Sequence, residues 1–193
     1  MNWYCDVAPG HDLHGPYHDD EYGFPVRDDR VLFERLCLEI FQAGLSWELI
    51  LRRRPGLNAA FHDFDIDTVA AYGDDDVARL LGDARIIRNR LKVAAIIGNA
   101  RRVQTLRDEF GRGEVGGFAA WLDAHHPLTL KQWVKVFRKT FAFTGPEVVN
   151  EFLMSIGMLP GGHRADCPVQ VRLTPLRPPW MTAQEAGFDY SGG

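Results

Sequence analysis

Apolar residues recur at intervals of three and four through most of the chain, the spacing that lines one face of an α-helix. Val31, Leu32, Leu36, Ile40 and Phe41 follow it behind Asp28 or Asp29, either of which suits an N-cap. Gly44 ends that helix, and Ser46 is placed to cap the next, which buries Leu49 and Ile50 and stops near Pro55. Asp67 precedes one short helix at residues 68–71, and Asp74 to Asp76 precede another that carries Val77, Leu80 and Leu81. Residues 86–110 form a longer helix with Leu91, Ala94, Ala95, Ile97 and Val103 on one side and bases on the other. A short helix at 118–122 follows, then Leu130, Val134, Phe137 and Phe141, then Phe143-Thr144-Gly145-Pro146. Val148, Val149, Phe152 and Ile156 mark the next helix, with Pro146 in its first turn. No run alternates as a strand would. The fold class expected is all-α.

The 193 residues suffice for one compact domain or two small lobes sharing a core. A hydrophobic fraction of 46% with 25% charged residues excludes a disordered or fibrous chain. No apolar stretch reaches the roughly 18–20 residues of a membrane span, and Met1 to Tyr4 does not read as the start of a signal peptide. Three distant cysteines, Cys5, Cys37 and Cys167, exclude a disulfide framework, so a reduced cytoplasmic protein is expected. The tail from 168 holds Pro168, Pro175, Pro178 and Pro179 and is expected to be extended and loosely held, apart from docking by Trp180 and Phe188.

Charge changes the picture by its distribution rather than its sum, which is −4. Residues 1–34 carry eight acids against Arg27 and Arg30, whereas residues 84–107 hold seven bases and no acid. Lys131, Lys135, Arg138 and Lys139 form a second acid-free block between Pro127 and Pro146. Such blocks build either a positive face for nucleic acid or solvated helix faces balanced by the acidic N-terminus. Charge alone does not choose between them.

His163 and Cys167, four residues apart, could take two corners of a zinc tetrahedron, with Cys5 and His18 as the remaining pair. Cys37 lies in an apolar helix, where a free cysteine acts as a small hydrophobe. Without a paired Cys-x-x-Cys, spacing alone favours reading these as ordinary loop and core residues over a zinc site.

Several stretches then occur in order: Tyr17-His18-Asp19-Asp20-Glu21-Tyr22-Gly23, Cys37-Leu38-Glu39, Gln42-Ala43-Gly44-Leu45-Ser46-Trp47, residues 85–92 and Ile96-Ile97-Gly98-Asn99-Ala100-Arg101. Together they resemble the 3-methyladenine DNA glycosylase I family of the helix-hairpin-helix superfamily, from Cys5 to Cys167. The resemblance implies a two-lobed, all-helical monofunctional glycosylase domain at residues 1–167, followed by the Pro-rich tail at 168–193. It implies an enzyme that flips 3-methyladenine from duplex DNA and hydrolyses its N-glycosidic bond, acting as a monomer. It also implies one structural Zn2+, held by Cys5, His18, His163 and Cys167 and clipping the two ends together.

The residues suit those roles. Glu39, on an otherwise apolar helix, would pair with the cationic base as recognition and catalytic residue; a cap or a salt bridge to Arg is the structural alternative. Tyr17, Trp47 and His14 would line the base pocket, although by spacing alone Trp47 reads as core. Gln42, Gly44 and Leu45 would fill the gap in the duplex, while Thr144, Gly145 and Lys139 would hold phosphate at the hairpin. Asp166 falls where related glycosylases place a catalytic aspartate, but a cationic base leaves without one, and no role is assigned to it.

Val7, His14 and Tyr22 stand where the family usually carries Trp, Tyr and Trp; Pro146-Glu147 and Asn150 also depart from its pattern. The segment rich in Ser, Thr and Pro that usually precedes the hairpin helix is nearly absent between His126 and Leu130. Two alternatives therefore stand beside the first reading: a divergent glycosylase for another damaged base, and a zinc-stapled DNA-binding protein without glycosylase activity.

Overall fold

The computed structural model describes residues 4–111 and 116–191. Two short helices, α1 (Tyr4–Val7) and α2 (His14–Asp20), lead into the central α3 (Asp29–Gln42) and, past a tight turn, α4 (Trp47–Ala60). After a 3-10 turn at His62–Phe64 come α5 (Ile66–Ala70), α6 (Asp74–Gly82), the long α7 (Arg90–Phe110) and α8 (Gly117–His125). Then follow α9 (Leu130–Thr140), α10 (Pro146–Ser155), α11 (Pro168–Leu173), a 3-10 turn at Thr174–Leu176 and α12 (Pro179–Glu185). The described residues contain no strand, so the all-α expectation holds.

Local sequence sets the helix starts. Asp28 caps α3 by accepting from the backbone N–H groups of Arg30 and Val31, Ser46 caps α4, and Asn89 caps α7 through Leu91 and Lys92. Thr129 and Gln132 close a reciprocal capping box on α9. α3 then packs against α4, α7, α8 and α10, while α7 lies along α5 and α8. Gly117 approaches the Arg107 backbone so closely that a Cβ would collide with it, which lets α8 sit directly on α7. The main core runs through Leu36 and Phe41 of α3, Ile96 and Val103 of α7, Phe118 of α8, Trp133 and Phe137 of α9 and Phe152 of α10. Each such fully buried side chain contributes on the order of 2–3 kcal/mol by leaving water.

Two smaller clusters stand apart from that core. One gathers Cys5, Cys167, Val169 and Leu173; the other gathers Tyr17, Tyr22 and Leu51, with Tyr4, Trp47 and Met154 against them.

Several expected details differ. α4 continues through Pro55 to Ala60, because Leu57 and Ala60 beyond the proline are buried in the core. Leu49 is only half-buried. α5 is capped by Asp65 rather than Asp67, whose carboxylate instead meets Arg107 and Gln104. α7 starts at Arg90, and its inward face is Lys92, Val93, Ile96, Asn99, Ala100 and Val103; Leu91 and Ala94 face solvent. Ala95, Ile97 and Val103 are buried as expected, whereas Lys92 and Asn99, polar yet buried, widen the inward face beyond what apolar spacing shows. The tail is helical rather than extended: its prolines stand at the first turns of α11, the 3-10 turn and α12, where no N–H is lost. Trp180 N–H donates to the Gly157 carbonyl, so the tail docks. Gly192 and Gly193 lie outside the described residues.

Candidate functional site

The aromatic cluster opens into a cavity of about 400 Å³. Tyr4, His14, Tyr17 and Tyr22 line it from the N-terminal segment, Glu39 and Gln42 from α3, Ser46, Trp47 and Glu48 from the start of α4, and Glu151 from α10. Sequence reading thus anticipated Tyr17, Glu39, Trp47, His14 and Gln42, and the fold brings all five together. Tyr17 and Trp47 have ring centroids 5.0 Å apart, and the Tyr17 hydroxyl is buried without a partner. The His14 ring shares a 3.1 Å hydrogen bond with the Tyr4 hydroxyl, and burial, then His11, lowers its basicity.

Glu39 is 4% exposed, and its carboxyl group forms no hydrogen bond or ion pair with any described residue. Neither the capping role nor the salt bridge is realised. Burial first, and then the charge of Glu151, push its carboxyl well above the usual carboxylate range; Arg35, one turn earlier on α3, opposes this. Arg35 is itself committed to Glu21, at 2.7 Å.

Along with Tyr4, Ser46 and Glu48 of the lining, sequence reading missed Glu151. Tyr22 Oη donates to its Oε2 at 3.1 Å, and burial raises its carboxyl too. The available signal is an acid flanked on its helix by Val148, Val149, Phe152 and Leu153.

Against the outer side of this cavity lies the turn between α3 and α4. Gly44 adopts φ +81°, a conformation that disfavours side chains, and Leu45 beside it is 36% exposed. Gln42 Nε2 donates to the Leu45 carbonyl at 3.1 Å. Lys92, buried on α7, donates to the carbonyls of Phe41 and Ala43 at 2.7 and 2.6 Å. Those bonds replace the water its ammonium loses.

A second turn joins α9 to α10. Here Phe143, not a glycine, takes the left-handed conformation, at φ 62°, and its ring is 41% exposed. Thr144 is buried with its hydroxyl donating to the Phe141 carbonyl, so only its backbone can meet a ligand. Asn99 of α7 bonds both the N–H and the carbonyl of Ala142, at 2.7 and 3.1 Å. α7 therefore braces both turns. Replacing Asn99 by Ala is expected to cost about 1–2 kcal/mol in urea unfolding, since two hydrogen bonds to the turn are lost together.

The basic blocks divide by role. Arg85, Arg102 and Arg107 pair with acids, and Arg101 holds the carbonyls of Ala70 and Tyr72. Arg88, Arg90, Lys131, Lys135, Arg138 and Lys139 are exposed and meet no acid among the described residues. The positive surface is thus a subset of the run, and it includes the helix leading to the second turn.

The third feature joins the two ends of the chain. Cys5, His18, His163 and Cys167 are buried, with their ligand atoms all within 4.8 Å of one another. Both sulfurs lie 3.6 Å from His163 Nδ1, and Cys167 Sγ is 3.8 Å from His18 Nε2. The other ring nitrogens are held: His18 Nδ1 by Asp19 at 2.7 Å, and His163 Nε2 by the Tyr22 carbonyl at 2.7 Å. Such orienting partners are what metal-bound histidines require. Asp166 is exposed, ion-paired to Arg164 and remote from the cavity lining.

Comparison with known proteins agrees with this arrangement. A family model described as methyladenine glycosylase matches residues 7–170. The DNA-3-methyladenine glycosylase 1 of Escherichia coli (strain K12) is 54% identical over 97 residues, a stretch covering 50% of this chain and about half, 52%, of that protein. A DNA-3-methyladenine glycosylase of Haemophilus influenzae is 30% identical over 185 residues, covering 87% of this chain and 98% of its own length. Among solved structures, a 3-methyladenine DNA glycosylase I superposes with a TM-score of 0.74 at 33% identity, covering 85% of this chain and 97% of that one. The Staphylococcus aureus enzyme, in a structure concerned with 3-methyladenine recognition, gives 0.73 at 28% identity, covering 86% and 95%.

Proposed function

The chain belongs to the methyladenine glycosylase family, and from that premise we propose that it removes 3-methyladenine from duplex DNA by hydrolysing the N-glycosidic bond. The observation that carries this reading is the unpaired buried carboxylate of Glu39 in a cavity walled by Tyr4, Tyr17, Tyr22 and Trp47. A base inside the helix must be flipped out to be attacked, and such a cavity offers it stacking faces and one anionic partner. The methylated base is cationic. Its charge offsets the cost of ionising Glu39, which neutral adenine cannot do, and its exocyclic N–H has an acceptor there.

Chemistry then asks little of the protein. Water adds to C1′ of the sugar as the C–N bond breaks; the bonding electron pair stays on the base and neutralises it, and the proton from water passes to solvent. Tyr17 and Trp47 hold the base by stacking, and the unpartnered Tyr17 hydroxyl supplies a hydrogen bond within the pocket. Gln42, Gly44 and Leu45 occupy the gap left in the duplex. The turn before α10 acts as the hairpin of a helix-hairpin-helix element, its Thr144 and Gly145 N–H groups and the positive end of α10 binding phosphate, with Lys139 alongside.

The four buried Cys and His ligands suit one structural Zn2+. Tetrahedral bonds of about 2.0–2.3 Å set neighbouring ligand atoms about 3.3–3.8 Å apart, in line with the 3.6 to 3.8 Å of three ligand pairs here, all four atoms lying within 4.8 Å of one another. Four protein ligands leave no open position for catalysis; the ion would fasten the C-terminal loop to α1 and α2.

The test is chromatography of bases released from methylated duplex DNA by the metal-replete protein. Free 3-methyladenine with matching abasic sites is the expected product. Salt-sensitive duplex binding without any released base would favour the DNA-binding alternative instead.

A further inference from the structure

Acids in the interior of this chain are matched by bases. Glu21 and Glu34 meet Arg54, Glu21 also meets Arg35, and Asp29 meets Arg107. The base cavity breaks that rule twice, because neither Glu39 nor Glu151 forms an ion pair with a base among the described residues, Arg35 acting on Glu39 only at longer range. Glu48, the remaining acid of the lining, is paired with Arg52. Glu39 and Glu151 come from different helices, α3 and α10, which pack on one another. Glu151 is also aimed, since the buried Tyr22 donates to its Oε2 and Asn150 donates a longer, 3.4 Å bond to its Oε1, which a ligand N–H can replace. Two carboxyls in one cavity without a base cost stability whenever both ionise, and such an arrangement persists where a ligand of opposite charge completes it.

We propose that Glu151 is a second specificity-determining carboxylate, which widens the pocket's substrate class from methylated adenine to the methylated guanine cation. The inference rests on the glycosylase reading above. A single carboxylate satisfies the one exocyclic amino group of 3-methyladenine. 7-Methylguanine in DNA is equally cationic, but presents N1–H and an amino group side by side, three N–H donors in all. One carboxylate takes two parallel N–H bonds, and a second takes the amino hydrogen left over. Val7, small and 49% exposed on the cavity wall, leaves space for the larger donor edge.

Duplex DNA treated with a methylating agent carries both cations, so one digestion reads both releases. Wild type is expected to free 7-methylguanine as well as 3-methyladenine. Glu151→Gln is expected to reduce both, 7-methylguanine at least about tenfold more, a ratio change of at least about 1.4 kcal/mol. If Glu151→Gln fails to fold by circular dichroism, Glu151→Ser reads the same ratio. Release of 3-methyladenine alone by wild type, or equal loss of both bases in the variant, overturns the inference and leaves the glycosylase reading standing. Release of no methylated base by wild type overturns both.

Discussion

Replacing Glu39 with Gln is expected to slow 3-methyladenine release by about 100-fold, equivalent to about 2.7 kcal/mol of transition-state stabilisation. The side chain keeps its shape and one acceptor oxygen, so the loss reports the missing charge, which lies within the range for hydrogen bonds to ionised groups. The same substitution is expected to raise stability at neutral pH by about 1 kcal/mol, or about 2–4 °C in Tm, because a buried carboxylate without a partner disappears. The pH dependence follows from the raised carboxyl of folded Glu39. Above about pH 4.3 the unfolded chain loses this proton while the folded chain keeps it, so rising pH draws stability from the wild type. Glu39→Gln removes that contribution, and its thermal melts are expected to decline less between pH 5 and neutrality, on the order of a few degrees. A variant that loses activity and stability together would instead make Glu39 a structural residue.

Removing the proposed Zn2+ is the second large effect expected. Stripping with a strong chelator, or replacing Cys167 with Ser, is expected to lower Tm by about 10 °C, a loss of about 3–5 kcal/mol. Complete unfolding is not expected, because the ligand cluster is separate from the main core running through α3, α7 and α10. Activity is expected to fall further than stability, measured as base release at a temperature where the stripped protein is still folded. The path is short: His18 and Tyr17 are neighbours on α2, and Tyr22 holds His163 by its carbonyl and Glu151 by its hydroxyl. Equal base release by stripped and replete protein at that temperature would remove the coupling.

Sequence periodicity carried the helices well, because caps such as Asp28, Ser46 and Asn89 are local signals that packing did not overrule. It does not foresee the burial of Lys92 and Asn99 on α7, since their bonds go to turns about fifty and forty residues away in sequence, at Ala43 and Ala142. It misread the tail because prolines at first-turn positions look like helix breakers until the start of each helix is known. The pocket was legible only through family resemblance. By spacing alone Trp47 is a core residue, and nothing local says that Tyr4, Glu39 and Glu151 share one cavity. The four Cys and His residues span the whole domain, so only the fold could bring them within 4.8 Å.

The aromatic cluster around Tyr17 and Tyr22 and the large core are built from separate sets of buried residues. Mutation can therefore change the shape, charge and hydrogen-bonding of the pocket without taxing the packing that keeps the chain folded. Val7, His14 and Tyr22 are departures of that kind, all on the pocket side of the divide. A lineage carrying this architecture can retune which lesions it clears while its scaffold drifts slowly, and pocket residues rather than overall identity will mark where such enzymes diverge in the damage they repair.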